Sequence, residues 1–500
     1  MEIKKLLIVT AALLLAACST GNTSEDLSPN ADQQLLTLGV APYKTAVPSP
    51  ILEIAATATV SPTLAGCPAP YQPANSTRTS YDLYVFLGVV EHAGYIEERI
   101  VFPNQTGSPL TELALVVDPN WIDGVFSIYE LDLGGAQSET YTLEGGLLRV
   151  PLEVPLPDGC SLELDLSYHL EFPAQAGFFG YTESQLVLTN WYPFVPPYTP
   201  SQGWITHPRA EFGEYLVYPT ADFTVTLELS NPPEGVLIAA PAPAVQSDGR
   251  YHYTLQGARM FSFAVLSGYA VRQRQYNGID ISVYTNMATR AAVGAVLSAA
   301  ADALNFFEST IGPYPFESLA IVQLDMYDGL ESDGIFYLSN HVFGTYNNSP
   351  RNMLIYLVPH EISHNWWFSQ VGNDQAIEPW LDEALATYSE KLFYEQAFPE
   401  HSPWWWEYRI GQWDPEGWVD ASVYSYSQYE PYRQAVYLRG VEFLDALRQR
   451  MGDEAFLAFL HSYLEQGRYR VMTADDFFSL LEEKYPIEID DLLAEYFGSR

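Results

Sequence analysis

Residues 359–367 read Pro359-His360-Glu361-Ile362-Ser363-His364-Asn365-Trp366-Trp367, and residues 380–384 read Trp380-Leu381-Asp382-Glu383-Ala384. On a helix, positions i and i+4 share a face, so His360 and His364 can grip one Zn²⁺. Glu361 lies about 100° round the same helix, within reach of a water at the metal. With 9 His and 62 acidic residues in 500, this pattern is expected by chance fewer than about 0.02 times. The alternative is a helix carrying two ordinary histidines. Glu383, on the next helix beyond the Gly372-Asn373-Asp374 turn, supplies a third ligand. Two His and one Glu leave a fourth position open, as catalytic zinc requires. A structural zinc would be closed by four protein ligands, often Cys, and no Cys lies nearby.

The rest of the chain is long enough for about three domains. Hydrophobic residues make up 48 % and charged residues 17 %, which excludes a mostly disordered chain. The net charge is 23 − 62 = −39. Such a surface repels phosphate backbones and anionic membranes, so no nucleic-acid partner is expected. From Tyr81 to about Asn286, short alternating apolar runs are separated by turn signals such as Pro157-Asp158-Gly159. This predicts a β-rich, sandwich-like domain over 79–286. After Thr289 the period becomes helical, with a strand at Leu319–Leu324 and helices around Met353–Val371 and Trp380–Ala397. The fold class expected is multidomain α+β, with a second domain over 287–500 whose helical half covers about 399–500.

Residues 1–17 combine Lys4 and Lys5 with the apolar run Leu6–Ala17, the pattern of a signal peptide. Leu15-Ala16-Ala17-Cys18 resembles the lipobox of bacterial lipoproteins, which implies lipidation at Cys18 and an extracytoplasmic, membrane-anchored protein. An ordinary secretory signal is the alternative. Residues 18–78, rich in Ser, Thr, Ala and Pro, read as a flexible tether. With Cys18 lipidated, Cys67 and Cys160 make one candidate disulfide, closing a loop of about 90 residues worth roughly 4 kcal/mol. Two unpaired thiols remain the other possibility.

His360–Trp367 followed by Trp380–Glu390 resembles the aminopeptidase N and leukotriene hydrolase family of gluzincin metallopeptidases. Gly312-Pro313-Tyr314-Pro315-Phe316 resembles the family's GxYPf segment. Asp328-Gly329-Leu330-Glu331-Ser332 sits where the family has GxMEN, and Tyr437-Leu438-Arg439-Gly440 resembles YxKG. The resemblance is firm over about 280–500 and implies a thermolysin-like catalytic domain with one zinc. It also implies roles: Glu361 as the base for the attacking water, Tyr437 for the oxyanion, and Glu331 for the substrate's free α-amine. By that account the activity is removal of N-terminal residues from peptides. Tyr437 and Glu390 also admit plain readings, as a core tyrosine and a solvated glutamate. Glu390 shares a helix face with Glu383 and is a candidate acceptor behind a zinc histidine.

The departures from the family pattern bear on selectivity. Asp328, Leu330 and Ser332 replace Gly, Met and Asn. Asp382 and Arg439 stand where Asn and Lys are usual, at positions expected to lie outside the core chemistry. The chain reaches Arg500 just after the helical half, so the long members' C-terminal helical domain is expected to be absent and the cleft more open. Ile321–Leu324 is a candidate edge strand for pairing with a peptide. Gln185 is a candidate second amine-binding residue. Trp404-Trp405-Trp406, Trp366 and Trp367 are expected to pack the helices. His92, His169, His207, His252, His341, His401 and His461 show no ligand spacing. The competing functions are a zinc endopeptidase, a leukotriene-hydrolase-like epoxide activity, and a non-catalytic peptide-binding lipoprotein. Nothing in the sequence defines the oligomeric state.

Overall fold

The computed structural model describes residues 66–500. The signal-peptide pattern, Cys18 and most of the tether lie outside the described residues. The N-terminal part is built on an eight-stranded sheet. Its strands are β1 (Gln72–Pro73), β2 (Thr79–Gly88), β3 (Ala93–Pro103), β4 (Phe126–Leu133), β5 (Cys160–Glu171), β6 (Ala221–Ser230), β7 (Val245–Ser247) and β8 (Arg250–Ala258). They run in the order β1-β5-β3-β2-β6-β8-β7, with β4 also pairing β5. All pairs are antiparallel except β2 with β6, which is parallel. Alternate side chains face inward: Leu83, Val85 and Leu87 from β2, and Leu162, Leu164, Leu166, Tyr168 and Leu170 from β5. A three-stranded and a four-stranded sheet accompany the large one. Cys160, at the start of β5, is bonded to Cys67, so this pair forms the disulfide. The bridge closes a separation of 93 residues.

The second sheet holds β9 (Ala270–Tyr276), β10 (Ile279–Thr285), β11 (Ser318–Leu324), β12 (Gly329–Leu330) and β13 (Ile335–Ser339), in the order β9-β10-β11-β13-β12. Two sequence expectations change here. The strands β9 and β10 lie inside the span expected for the preceding domain, yet they join the sheet of the following one. A strand's own alternation does not say which sheet completes it. Ile321–Leu324 is also not an edge: β11 is flanked in parallel by β10 and β13. The edges are β9 and the two-residue β12, the latter directly before Glu331.

Helix α1 (Arg290–Thr310) packs on β10, capped by Thr289, whose hydroxyl accepts the Ala292 N–H at 3.1 Å. By length and composition α1 alone among the described helices is apolar enough to cross a membrane, but half of its apolar window is buried inside the fold. Helix α2 (Met353–Ser363) carries His360, ends on His364 as its C-cap and is capped at its start by Asn352. It does not continue evenly to Val371, since Asn365–Gln370 form a π turn in which Ser369 N–H reaches the His364 carbonyl at 2.8 Å. Val371–Asn373 then pairs with Arg470–Met472, and α3 (Trp380–Ala397) begins at Trp380. Helix α4 (Gly440–Met451) crosses α3 closely. A Cβ on Gly440 would lie 2.4 Å from that of Ala384, so only glycine permits the approach.

Glu98 projects from β3 into the core between Leu83 and Leu166 and is 1 % exposed. Burial pushes its carboxyl well above the ordinary range, and the nearby Tyr168 hydroxyl only partly offsets this. The folded state therefore holds this proton more tightly than the unfolded chain. The resulting stability is complete below pH ~4.5 and is lost as pH rises toward the folded-state pKa. Glu98→Gln removes that dependence. Relative to the parent, its stability by urea unfolding should grow by up to about 1.4 kcal/mol per pH unit above pH ~4.5 before levelling.

Candidate zinc centre and amine pocket

His360, His364 and Glu383 converge from α2 and the first turn of α3, and each is at most 6 % exposed. His360 Nε2 lies 3.5 Å and His364 Nε2 3.9 Å from Glu383 Oε2. One ligand atom from each of the three lies within 4.8 Å of the others. Both imidazoles are engaged from behind through Nδ1. Glu390 Oε1 approaches His360 Nδ1 to 3.0 Å, and Asp382 Oδ1 lies 2.6 Å from His364 Nδ1. Each contact favours the Nδ1–H tautomer and leaves an Nε2 lone pair facing Glu383.

Glu390 is itself held. Its carboxylate accepts Trp405 Nε1–H at 2.9 Å and both Arg409 Nε–H and Nη2–H, at 2.9 and 2.7 Å. Glu390 is therefore no solvated surface residue. Asp382, expected to stand apart from the chemistry, instead touches His364 directly. The tryptophans of the motif pack as expected. Trp366 donates to the Gly312 carbonyl at 2.9 Å and Trp367 to Ser389 Oγ at 3.0 Å, which holds α2 against α3 and the Gly312-Pro313 segment.

The charges explain one another. Burial opposes protonation of His360, but Glu383 and Glu390 outweigh it and carry the ring up to about 9. Burial likewise opposes protonation of His364, and Asp382 with Glu331 reverses the balance. For Glu383 burial works upward, but contact with His360, the His364 charge and the Tyr437 hydroxyl bring it below its usual range. Glu361 is pushed up to about 8 by burial, tempered by the two histidines. It sits against β12, where a Cβ on Gly329 would lie 2.0 Å from Glu361 Oε1. Any larger residue at 329 would displace that carboxylate.

A divalent cation fits this donor set. Among the described residues, His364 Nε2, Glu383 Oε2 and Glu361 Oε2 are buried without a hydrogen-bond partner. Orphaned groups of this kind are costly unless a cation satisfies them. Two imidazoles and one carboxylate suit zinc, with room for a further oxygen ligand.

Tyr437 lies beside His360, its ring parallel to the imidazole with centroids 6.5 Å apart. Glu331, directly after β12, is 8 % exposed. Burial pushes it up to about 7, with the His364 charge opposing. A residue absent from the sequence expectations joins it: carboxylate oxygens of Glu214, Glu331 and Glu383 lie within 4.8 Å of one another. Glu214 belongs to the irregular stretch between two strands of the β-rich part, and no spacing or motif marks it. Gln185, the sequence candidate for a second amine-binding residue, is engaged elsewhere. Its Oε1 accepts Asp325 N–H at 2.9 Å, and the Tyr269 hydroxyl lies 3.4 Å away.

Fold and site together bring two histidines at the end of one helix and a glutamate on the next to one point beside a mixed sheet, a donor set that could hold a metal ion. Residues 296–496 match the Peptidase family M1 domain. Among curated relatives, Aminopeptidase M1-C of Oryza sativa subsp. japonica is 22 % identical over 235 residues, covering 44 % of this chain and 27 % of that protein. Aminopeptidase O of Homo sapiens is 25 % identical over 218 residues, covering 37 % of this chain and 26 % of that protein. The matched region thus spans about a quarter of these relatives' length. Among solved structures, a single-substitution mutant of the M1 zinc metallopeptidase from Deinococcus radiodurans superposes with a TM-score of 0.61 at 18 % identity, covering 85 % of this chain and 95 % of that one. The same mutant bound to the substrate Tyr-Ser-Ala gives 0.60 at 18 % identity over the same shares. At that identity the likeness establishes the fold.

Because both ligand histidines hold protons tightly, zinc must displace those protons to bind. Apparent zinc affinity of the stripped protein should rise with pH toward about 9, the value for His360, by about tenfold per pH unit for each proton displaced. Competition with a chelator at pH 6, 7 and 8 measures this. A thousandfold excess of zinc over its dissociation constant should add about 4 kcal/mol of stability.

Proposed function

We propose that the protein is a zinc aminopeptidase, removing residues one at a time from the free N-termini of peptides. The observation that carries this reading is the pairing of Glu331 and Glu214 beside Glu383. Two carboxylates there gather acidic groups directly beside the candidate metal ligands. A protonated α-amine satisfies them, whereas the interior of a longer chain would bring an uncharged amide against buried carboxylates.

His360, His364 and Glu383 are the groups that would hold the zinc, which when bound supplies a Lewis acid for the scissile carbonyl. Glu361 accepts the proton of the attacking water and returns it to the departing amine nitrogen. The Tyr437 hydroxyl donates to the oxyanion that develops at the carbonyl oxygen. Glu331 and Glu214 hold the ammonium, which fixes the first peptide bond, and no later one, at the reacting centre.

In the same reading the enzyme works outside the cytoplasm, tethered through a lipidated Cys18. The signal-peptide pattern before Cys18 and the Cys67–Cys160 disulfide support this, since disulfides persist in oxidising compartments. Its partners are then peptides with free N-termini and the membrane reached through the lipid.

The test follows one peptide by mass spectrometry, first with a free N-terminus and then acetylated. Stepwise loss from the free peptide alone is expected, with kcat reduced about 10²–10⁴-fold by Glu361→Gln. Internal cuts in both peptides would make the protein an endopeptidase. No cleavage by the zinc-loaded protein would favour a binding protein.

A further inference from the structure

We propose that Gln375 is the positioning residue that sets the amine anchor Glu331 at a fixed distance from the metal-facing His364. The inference rests on the aminopeptidase reading and adds a specificity determinant to it. Gln375 lies in the loop between α2 and α3 and is 4 % exposed. Its Nε2 donates to Asp382 Oδ2 at 2.7 Å and reaches Glu331 Oε1 at 3.5 Å. Asp382 Oδ1 in turn contacts His364 Nδ1 at 2.6 Å. A primary amide nitrogen carries two N–H groups, one for each of these carboxylates. The opposite amide orientation would set its oxygen against two negative groups, so the donor must face them.

The neighbours of Glu331 make this bridge consequential. Ser332 stands where the family pattern has Asn, and its hydroxyl is spent on Ser262 Oγ at 3.0 Å. Among the described residues, Gln375 is the one side-chain donor bonded to Glu331. Glu331 and Asp382 repel each other, and the forked amide holds them at a set separation. The loop is anchored on both sides of Gln375. Asp374 Oδ2 lies 2.8 Å from His207 Nε2 of the β-rich part, and the Ala376 carbonyl accepts Val423 N–H at 3.0 Å. The chain Glu331–Gln375–Asp382–His364 thus fixes where a bound ammonium lies relative to the metal ligands.

Isothermal calorimetry on the full, zinc-loaded chain carrying Glu361→Gln tests this without turnover. The ligands are trialanine and N-acetyl-trialanine. Adding Gln375→Met keeps the length of the side chain but removes both donors. The free peptide should then bind about tenfold more weakly, the acetylated one unchanged, with one zinc per chain retained. Gln375→Glu, which adds a third negative charge, should weaken the free peptide at least as much. In a Glu331→Gln background, Gln375→Met should cost little further. Equal weakening of both peptides, loss of zinc, or no change for the free peptide would overturn the proposal. The parent reading is judged separately, by whether the unsubstituted enzyme cuts acetylated peptide.

Discussion

The structure turns on how many ionisable groups are buried together. His360, His364, Glu331, Glu361, Asp382, Glu383 and Glu390 are all at most 8 % exposed. Burying one unpaired carboxylate is costly, and five around two imidazoles are tolerable only if positive charge is supplied. Arg409 supplies part of it at Glu390. The histidines supply another part by holding protons. A divalent cation at Glu383 would take the place of those protons, and an ammonium at Glu331 would add to the balance. The same shortage of positive charge that makes the site expensive to fold underlies the proposed affinity for zinc and for a free N-terminus.

The β-rich part contributes to this balance. Arg259, directly after β8, is 2 % exposed and reaches to the segment after α2. Its guanidinium donates to the carbonyls of Tyr218 at 2.7 Å, Ser369 at 3.1 Å and Arg470 at 2.8 Å, and also to that of Phe368. Asp333 accepts the N–H groups of Arg259 and Met260 at 3.0 and 2.8 Å. These bonds grip the π turn just beyond His364. With Glu214 beside Glu331 and His207 on Asp374, they make the β-rich part a wall of the site as well as its neighbour.

Much of this was legible in the sequence because helical spacing converts directly into geometry. His360, Glu361 and His364 share a helix, and so do Glu383 and Glu390, so their faces follow from residue numbers alone. Asp382 was open to the same reading, one residue before a ligand, but its contact with His364 depends on how α2 and α3 cross. Glu214, Gln375 and Arg259 were out of reach. They sit in loops or at a strand end, and tertiary packing rather than periodicity brings them to the site. The sheet boundary failed for a related reason, since β9 and β10 alternate like the strands before them and only their partners assign them. The roles of Glu331 and Tyr437 came from motif resemblance, because neither position carries a spacing rule of its own.

X-ray absorption at the zinc edge of the stoichiometrically loaded protein tests the central claim most directly. The account predicts one zinc per chain with two imidazole nitrogens at about 2.0–2.1 Å and carboxylate or water oxygens at about 2.0–2.2 Å. Glu383→Ala should alter that shell, and His360→Ala or His364→Ala should abolish tight binding. Loss of zinc on replacing Glu214 or Glu331, with the shell unchanged when His360, His364 or Glu383 is replaced, would contradict it.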